Sequence, residues 1–279
     1  MQTNDLLSLR PAAARADLSC GAAGDARLAA LLQRFEPIRL EEMDGVALMD
    51  RTDTKYLLAY PDLLKALEAL RGDYRVLDIE GARLSPYQTL YFDTPELALF
   101  RQHQTGRARR CKVRSRRYAC TGRAFVEVKL KTRGDRTSKR RLETTGLITQ
   151  LSPELRAFVE PGTGMGAAFL RPTLANAFSR ITLVGRQAPE RVTLDLDLRF
   201  ASPEASLSKR GIVIVELKQA RFDRRSPFAE LMRALGARPT GFSKYGCGVA
   251  WLYPTVQHNH FTPALRAVDT LIRGNTHVQ

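Results

Sequence analysis

The sequences CKVRSRRY at residues 111–118 and FVEVKLK at residues 125–131 decide how this chain is read. Both alternate: Lys112, Arg114 and Arg116 share one parity, Glu127, Lys129 and Lys131 share one parity, and most of the residues between them are apolar. A strand turns successive side chains to opposite faces, so each charged triplet lies on one face. Around them, residues 101–141 hold sixteen Lys and Arg against two acids, Glu127 and Asp135. That net of +14 nearly equals the +15 of the whole chain.

A single strand of this kind is ordinarily half-buried, with its charged face in water. The pattern recurs far away, however: Arg51, Asp53 and Lys55 in DRTDTKYLL, Arg191, Thr193, Asp195 and Asp197 in RVTLDLDLRF, and Glu216 and Lys218 in IVIVELKQ. Five such strands in one sheet closed on itself would line a shared lumen and turn their apolar faces outward against helices. A lumen lined mainly by cations calls for an anion.

The remaining sequence sets the bounds. A chain of 279 residues with 44% hydrophobic content can bury a substantial core. No stretch approaches the roughly eighteen apolar residues of a membrane span. The high pI favours a polyanionic partner, but few aromatics interleave the basic run, so base stacking along a nucleic acid is not expected. Cys20, Cys111, Cys120 and Cys247 form no CxxC pair, which points to reduced thiols and a cytoplasmic protein. His258 and His260 form a lone HxH, read as loop. The glycines of GTGMG at 162–166 follow no strand and precede no suitably placed Lys, so they read as a connector rather than a phosphate loop.

Residues 1–33 read as a mobile Ala-rich leader, 34–254 as the folded domain and 255–279 as a polar tail. A short helix is expected after Pro37, packing Ile38, Leu40 and Met43. Helices are also expected over 61–70, 153–160, 166–178 and 227–235, with strands over 48–59, 74–79, 87–93, 109–118, 123–131, 138–145, 181–184, 191–200 and 212–219.

Eight motifs in order now carry a resemblance: RTDTKY (51–56), YFDT (91–94), KVRSRRY (112–118), FVEVKLK (125–131), SKRR (138–141), RVTLDLD (191–197), VELK (215–218) and FSKYG (242–246). Together they resemble the catalytic domain of the vacuolar transporter chaperone polyphosphate polymerases and their bacterial relatives, within the triphosphate tunnel metalloenzymes. The resemblance covers residues 34–253. It implies an α+β fold, an eight-stranded antiparallel β-barrel forming a tunnel with helices packed outside. It also implies transfer of the γ-phosphate of ATP to a growing polyphosphate chain, primed by pyrophosphate and supported by Mn²⁺ or Mg²⁺.

By the same resemblance Lys55, Arg114, Arg116, Lys129, Arg180, Arg191, Ser243 and Lys244 match phosphate contacts, and Glu216 matches the metal ligand; a metal's need for further hard oxygens makes Glu127 or Asp195 a candidate second ligand. One of Lys139 and Arg140 matches a further wall cation. Lys112 and Lys218 join them as substrate-binding candidates from their stripes. Arg offers a planar fork for two phosphate oxygens and Lys a point charge between them, while a hard cation takes oxygen ligands.

Simpler readings stand beside these. Glu127/Lys129 and Glu216/Lys218 suit cross-strand charge pairs, Asp195 and Asp197 suit counter-ions, and Ser243 suits a helix cap. The chain also departs from its relatives. Arg51, Asp53 and Lys55 stand where the hydrolase branch has E-x-E-x-K, and Phe178 replaces a tyrosine. Eukaryotic polymerases add a phosphate-sensing domain and membrane spans, so a separate membrane-protein partner is expected for export. A tri- or polyphosphate hydrolase, a nucleoside triphosphatase and a non-catalytic polyanion-binding module remain the alternatives.

Overall fold

In the computed structural model, residues 25–46, 51–132, 137–187 and 189–276 are described. In chain order the elements are α1 (Ala26–Gln33), β1 (Glu36–Ile38), β2 (Thr52–Ala59), α2 (Tyr60–Leu70), β3 (Tyr74–Leu77), β4 (Ser85–Asp93) and α3 (Ala98–Gln104). Then follow β5 (Arg110–Tyr118), β6 (Ala124–Lys131), β7 (Thr137–Thr144), α4 (Pro153–Thr163), β8 (Arg171–Gly185) and β9 (Glu190–Ala201). The chain continues through β10 (Ser206–Lys209), β11 (Ile212–Gln219), α5 (Pro227–Ala234), α6 (Lys244–Leu252) and α7 (Thr262–Thr276).

Eight strands form a continuous antiparallel path in the order β2-β11-β9-β8-β4-β5-β6-β7, with β3, β1 and β10 added at its margins. The path curls until its ends approach, bringing Lys129 on β6 within the fields of Lys55 and Asp53 on β2. Among the described residues no backbone ladder joins β7 to β2. The tunnel architecture is therefore present, with its last seam not hydrogen-bonded.

The convex face is apolar, as the alternation requires. Tyr56, Leu58, Val192, Leu194, Val213 and Val215 pack against α1, α2 and α5. Farther round, Leu90, Val113, Val126 and Val128 pack against α3 and α4. Helix α2 begins with Pro61 in its first turn, and Leu63, Leu64, Leu67 and Leu70 recur at helical spacing on its buried side.

The concave face has two halves. One is charged. The other carries Leu57, Leu174, Phe178, Leu198, Phe200, Ile212 and Ile214, and is filled by α6 and α7. Helix α6 thus lies within the curl, whereas helices were expected only outside. Its glycines permit that approach: a Cβ on Gly248 would come within 2.6 Å of Leu174 and 2.8 Å of Phe200.

Several expectations are corrected. The helix expected over 166–178 is a short 3-10 turn at Ala167–Phe169 followed by the fifteen-residue strand β8. Ala and Leu favour helix, but residues 173–179 are all buried within the sheet, so packing overrides propensity. After Pro37 the chain completes β1 and then makes a 3-10 turn at Glu41–Val46; Ile38 and Met43 are buried, but Leu40 is exposed. The stretch read as a polar tail contains α7, with Phe261, Ala264 and Val268 buried in the inner apolar half. The end of the expected leader forms α1, capped by Asp25; its residues 1–24 lie outside the described residues, as do 133–136 between β6 and β7.

Candidate functional site

The cross-strand register brings the charged stripes together. Lys55 on β2 lies opposite Glu216 on β11, which lies opposite Thr193 on β9. Arg180 on β8 faces Asp195 on β9, and Arg114 on β5 faces Glu127 on β6. Lys112, Lys129 and Lys139 form one row across β5, β6 and β7. These side chains are enclosed by protein yet reached by water: the Arg114 side chain keeps 23% of its surface exposed and that of Arg180 17%. The charged half of the curl is a solvated channel.

Carboxylates hold some of the cations in place. Arg180 makes a two-pronged pair with Asp195, Nε to Oδ1 at 2.6 Å and Nη2 to Oδ2 at 2.8 Å, and Lys244 donates to the same Oδ2. Arg114 donates to Glu127 at 2.7 Å from Nε and hydrogen-bonds Tyr91, while Lys139 reaches the other oxygen of Glu127. Lys218 pairs with Glu216 two residues along β11. Arg116 donates to Thr89 Oγ1 at 3.0 Å and lies beside the Tyr87 and Phe178 rings.

Helix α6 contributes its first turn. Ser243 caps it by accepting from the Gly246 N–H at 3.1 Å, and the same hydroxyl accepts from Lys112 Nζ at 2.9 Å. The cap reading of Ser243 is thus met, and its hydroxyl faces Lys112 in the channel. Lys55 Nζ donates to the Phe242 carbonyl at 2.9 Å. Among the described residues, Lys129 and Arg191 are channel cations with no hydrogen-bond or ion-pair partner.

The electrostatics follow from crowding like charges where water is scarce. Burial, then Lys55, Lys129 and Arg114, push the Lys112 ammonium well below its usual value. At Lys244, burial outweighs Asp195 and lowers the pKa to about 8. At Asp195 burial pulls upward, but Arg180 and Lys244 prevail and hold the carboxyl well below its ordinary range. The two partners shift the same way because the carboxylate has two cations, whereas the ammonium has Arg180 and Arg116 nearby as well. Burial likewise raises Glu127, and Arg114 and Lys139 bring it down to about 2.

Not every predicted residue enters the channel. Arg140 pairs with Val128 on the outer face and lies 4.7 Å from the centre of the Phe158 ring of α4, so Lys139 is the inward member of that pair. Asp197 leaves the stripe it shares with Asp195. A register shift in the β8–β9 ladder inserts an extra residue, Asp197 takes φ 53°, and its charge is felt by Tyr60 at the start of α2. Arg141, unmarked in the sequence reading, shares the inward parity of Lys139 and lies opposite Glu127. Tyr87, Thr89 and Tyr91 were also missed, although their alternation in PYQTLY was visible.

The carboxylates differ in fitness for a metal. Among the described residues no three of His, Cys, Asp and Glu gather into a binding cluster. Glu127, 1% exposed, is taken up by Arg114 and Lys139 and does not fit a ligand role. Glu216 keeps 23% of its side chain exposed to the channel and holds one flexible partner, so a hard cation bound chiefly by phosphate oxygens and water could use it as its anchor.

A model of the VTC domain matches residues 50–253. The chain belongs to the VTC domain family. No curated protein matches it. Solved structures similar to this VTC-domain chain include a Hippeastrum adenylyl cyclase candidate with a dominant triphosphatase activity, 14% identical with a TM-score of 0.48, covering 76% of this chain and 100% of its own. An adenylate cyclase candidate from Vibrio parahaemolyticus is 15% identical with a TM-score of 0.42, covering 70% of this chain and 94% of its own. Another, from Bacillus halodurans, is 12% identical with a TM-score of 0.44, covering 70% and 96%. Among the described residues no helix is long and apolar enough to cross a membrane.

Proposed function

We propose that this VTC domain transfers phosphoryl groups in its basic channel, making polyphosphate from ATP. The carrying observation is the convergence of Lys55, Arg114, Lys129, Lys139, Arg180 and Lys218, from six strands, on one solvated lumen. Phosphoryl transfer asks for little covalent chemistry from the protein; it needs the phosphates held in line and the charge on the transferring group stabilised. Arginines fixed by carboxylates meet that need because they are oriented before substrate arrives.

In this reading Arg114 and Arg180, locked by Glu127 and Asp195, grip phosphate oxygens with their remaining N–H groups. Lys129 and Arg191, without partners of their own, supply the charge that the substrate neutralises. Lys112 and Lys244 lose their depressed proton affinity when an anion sits beside them. Glu216 is the residue that would hold Mg²⁺ or Mn²⁺, which supplies further charge neutralisation on the phosphate oxygens. The acceptor is the terminal phosphate of pyrophosphate or of the growing chain, so no Ser, Cys or His nucleophile is required.

Purified protein given ATP, Mn²⁺ and pyrophosphate should yield long chains and ADP, resolved by gel electrophoresis. Release of free phosphate without chains would refute the polymerase and leave a hydrolase. Failure to bind any triphosphate would refute the channel reading itself.

A further inference from the structure

Three carboxylates of the channel, Asp195, Glu127 and Glu216, are bound to its cations. Asp93, the acid of YFDT, is not. It ends β4, is fully buried, and among the described residues its partners are four uncharged donors. Oδ1 accepts from the N–H groups of Thr94 at 2.7 Å and Leu99 at 2.8 Å, while Oδ2 accepts from the Phe100 N–H at 2.8 Å and from the Tyr245 hydroxyl. Leu99 and Phe100 lie in the first turn of α3, whose N–H groups have no partners within the helix. Tyr245 lies in the first turn of α6, so one carboxylate ties β4, α3 and α6 together.

The turn it holds is the one that meets the channel. Residues 242–244, immediately before Tyr245, offer the Phe242 carbonyl to Lys55, the Ser243 hydroxyl to Lys112 and the Lys244 ammonium to Asp195. The turn is therefore held from two sides, and the two sides respond differently to an anion. Phosphate oxygens that draw in Lys55, Lys112 and Lys244 take them from Phe242, Ser243 and Asp195, so the ties on the channel side loosen as the ligand binds. Asp93 keeps its donors, because it shares no cation with the channel. Its charge is met by N–H and O–H groups and does not compete with phosphate for an ammonium or a guanidinium.

We propose that Asp93 is a positioning residue: acting through the Tyr245 hydroxyl, it keeps Ser243 and Lys244 in place while phosphate occupies the channel. The inference rests on the channel reading and adds to it a part that never touches the ligand.

Tyr245→Phe is a mild test, since the ring keeps its packing on Tyr91 and Phe100 and one hydroxyl is lost, whereas Asp93→Ala would strip α3 as well. Tyr74→Phe is the matched control: it breaks the same kind of bond, between a buried tyrosine and Glu190, on the outer side of the sheet. Isothermal titration with inorganic triphosphate in metal-free buffer should show about tenfold weaker binding to Tyr245→Phe, the loss of one ammonium–phosphate hydrogen bond. Tyr74→Phe should bind as the wild type does, although its Tm also falls. Added to Lys244→Met, Tyr245→Phe should weaken binding by less than about a further twofold, because both act on the same contact. Wild-type affinity in Tyr245→Phe, an equal loss in Tyr74→Phe, or a full additional loss on top of Lys244→Met makes the Asp93–Tyr245 pair merely structural and overturns the proposal while the channel stands. A wild type that binds no triphosphate overturns the channel and the proposal with it.

Discussion

Replacing Asp195 with asparagine keeps the shape of the side chain and removes a charge that holds two channel cations. Its carboxylate is 3% exposed, and Arg180 and Lys244 both end on it. Removing one partner of a buried ion pair costs about 3–5 kcal/mol, because the charge left behind has lost its counter-ion. Here Arg180 and Lys244 still touch water at 17% and 13% exposure, which places the cost near the lower end, about 3 kcal/mol. In a chain of this size that lowers Tm by about 6–12 °C. A phosphate ligand then replaces the missing anion, so triphosphate should raise the Tm of Asp195→Asn by more degrees than it raises that of the wild type. Differential scanning calorimetry with and without inorganic triphosphate measures both effects. An Asp195→Asn protein that melts with the wild type, or gains less from triphosphate, would refute the counter-ion role.

Lys129→Ala and Arg191→Ala should abolish turnover with Tm unchanged or raised, since each removes repulsion without breaking a pair; large thermal losses in both would mark them as structural. The depressed pKa of Lys244, about 8 against 10.5 in the open chain, makes unfolded protein bind more protons between those values, so this group's contribution to apo stability rises with pH across that window. Triphosphate, which needs the protonated form, should bind more weakly above pH 8 with measurable proton uptake by calorimetry in two buffers; affinity unchanged by pH 9.5 would contradict it. Gly248→Ala should lose about 1–3 kcal/mol by overpacking against Leu174 and Phe200, seen as a lower urea midpoint.

The charged half of the fold was legible because parity survives without a partner: KVRSRRY places three cations on one face whatever strand lies beside it. Which of SKRR turns inward was not, since parity needs a register, and only the pairing of Lys139 with Lys129 fixes it. Asp197 was lost to an inserted residue that no alternation reveals. Residues 166–178 misled because their Ala and Leu favour helix, while burial of 173–179 on both faces of the sheet decides for strand. The position of α6 was hidden for a related reason. Gly246 and Gly248 in FSKYGCGVAWL look like loop residues until the opposing walls, Phe261 and Leu174 with Phe200, are known.

The seam between β7 and β2 has a mechanical meaning. A hoop fastened all round by peptide ladders has a fixed girth, whereas among the described residues this one has no ladder along one joint. Lys129 lies within the fields of Lys55, Glu216 and Asp53 across that joint. An anion lodged beside those ammonium groups would act as a rivet, so triphosphate is expected to draw the girth tight.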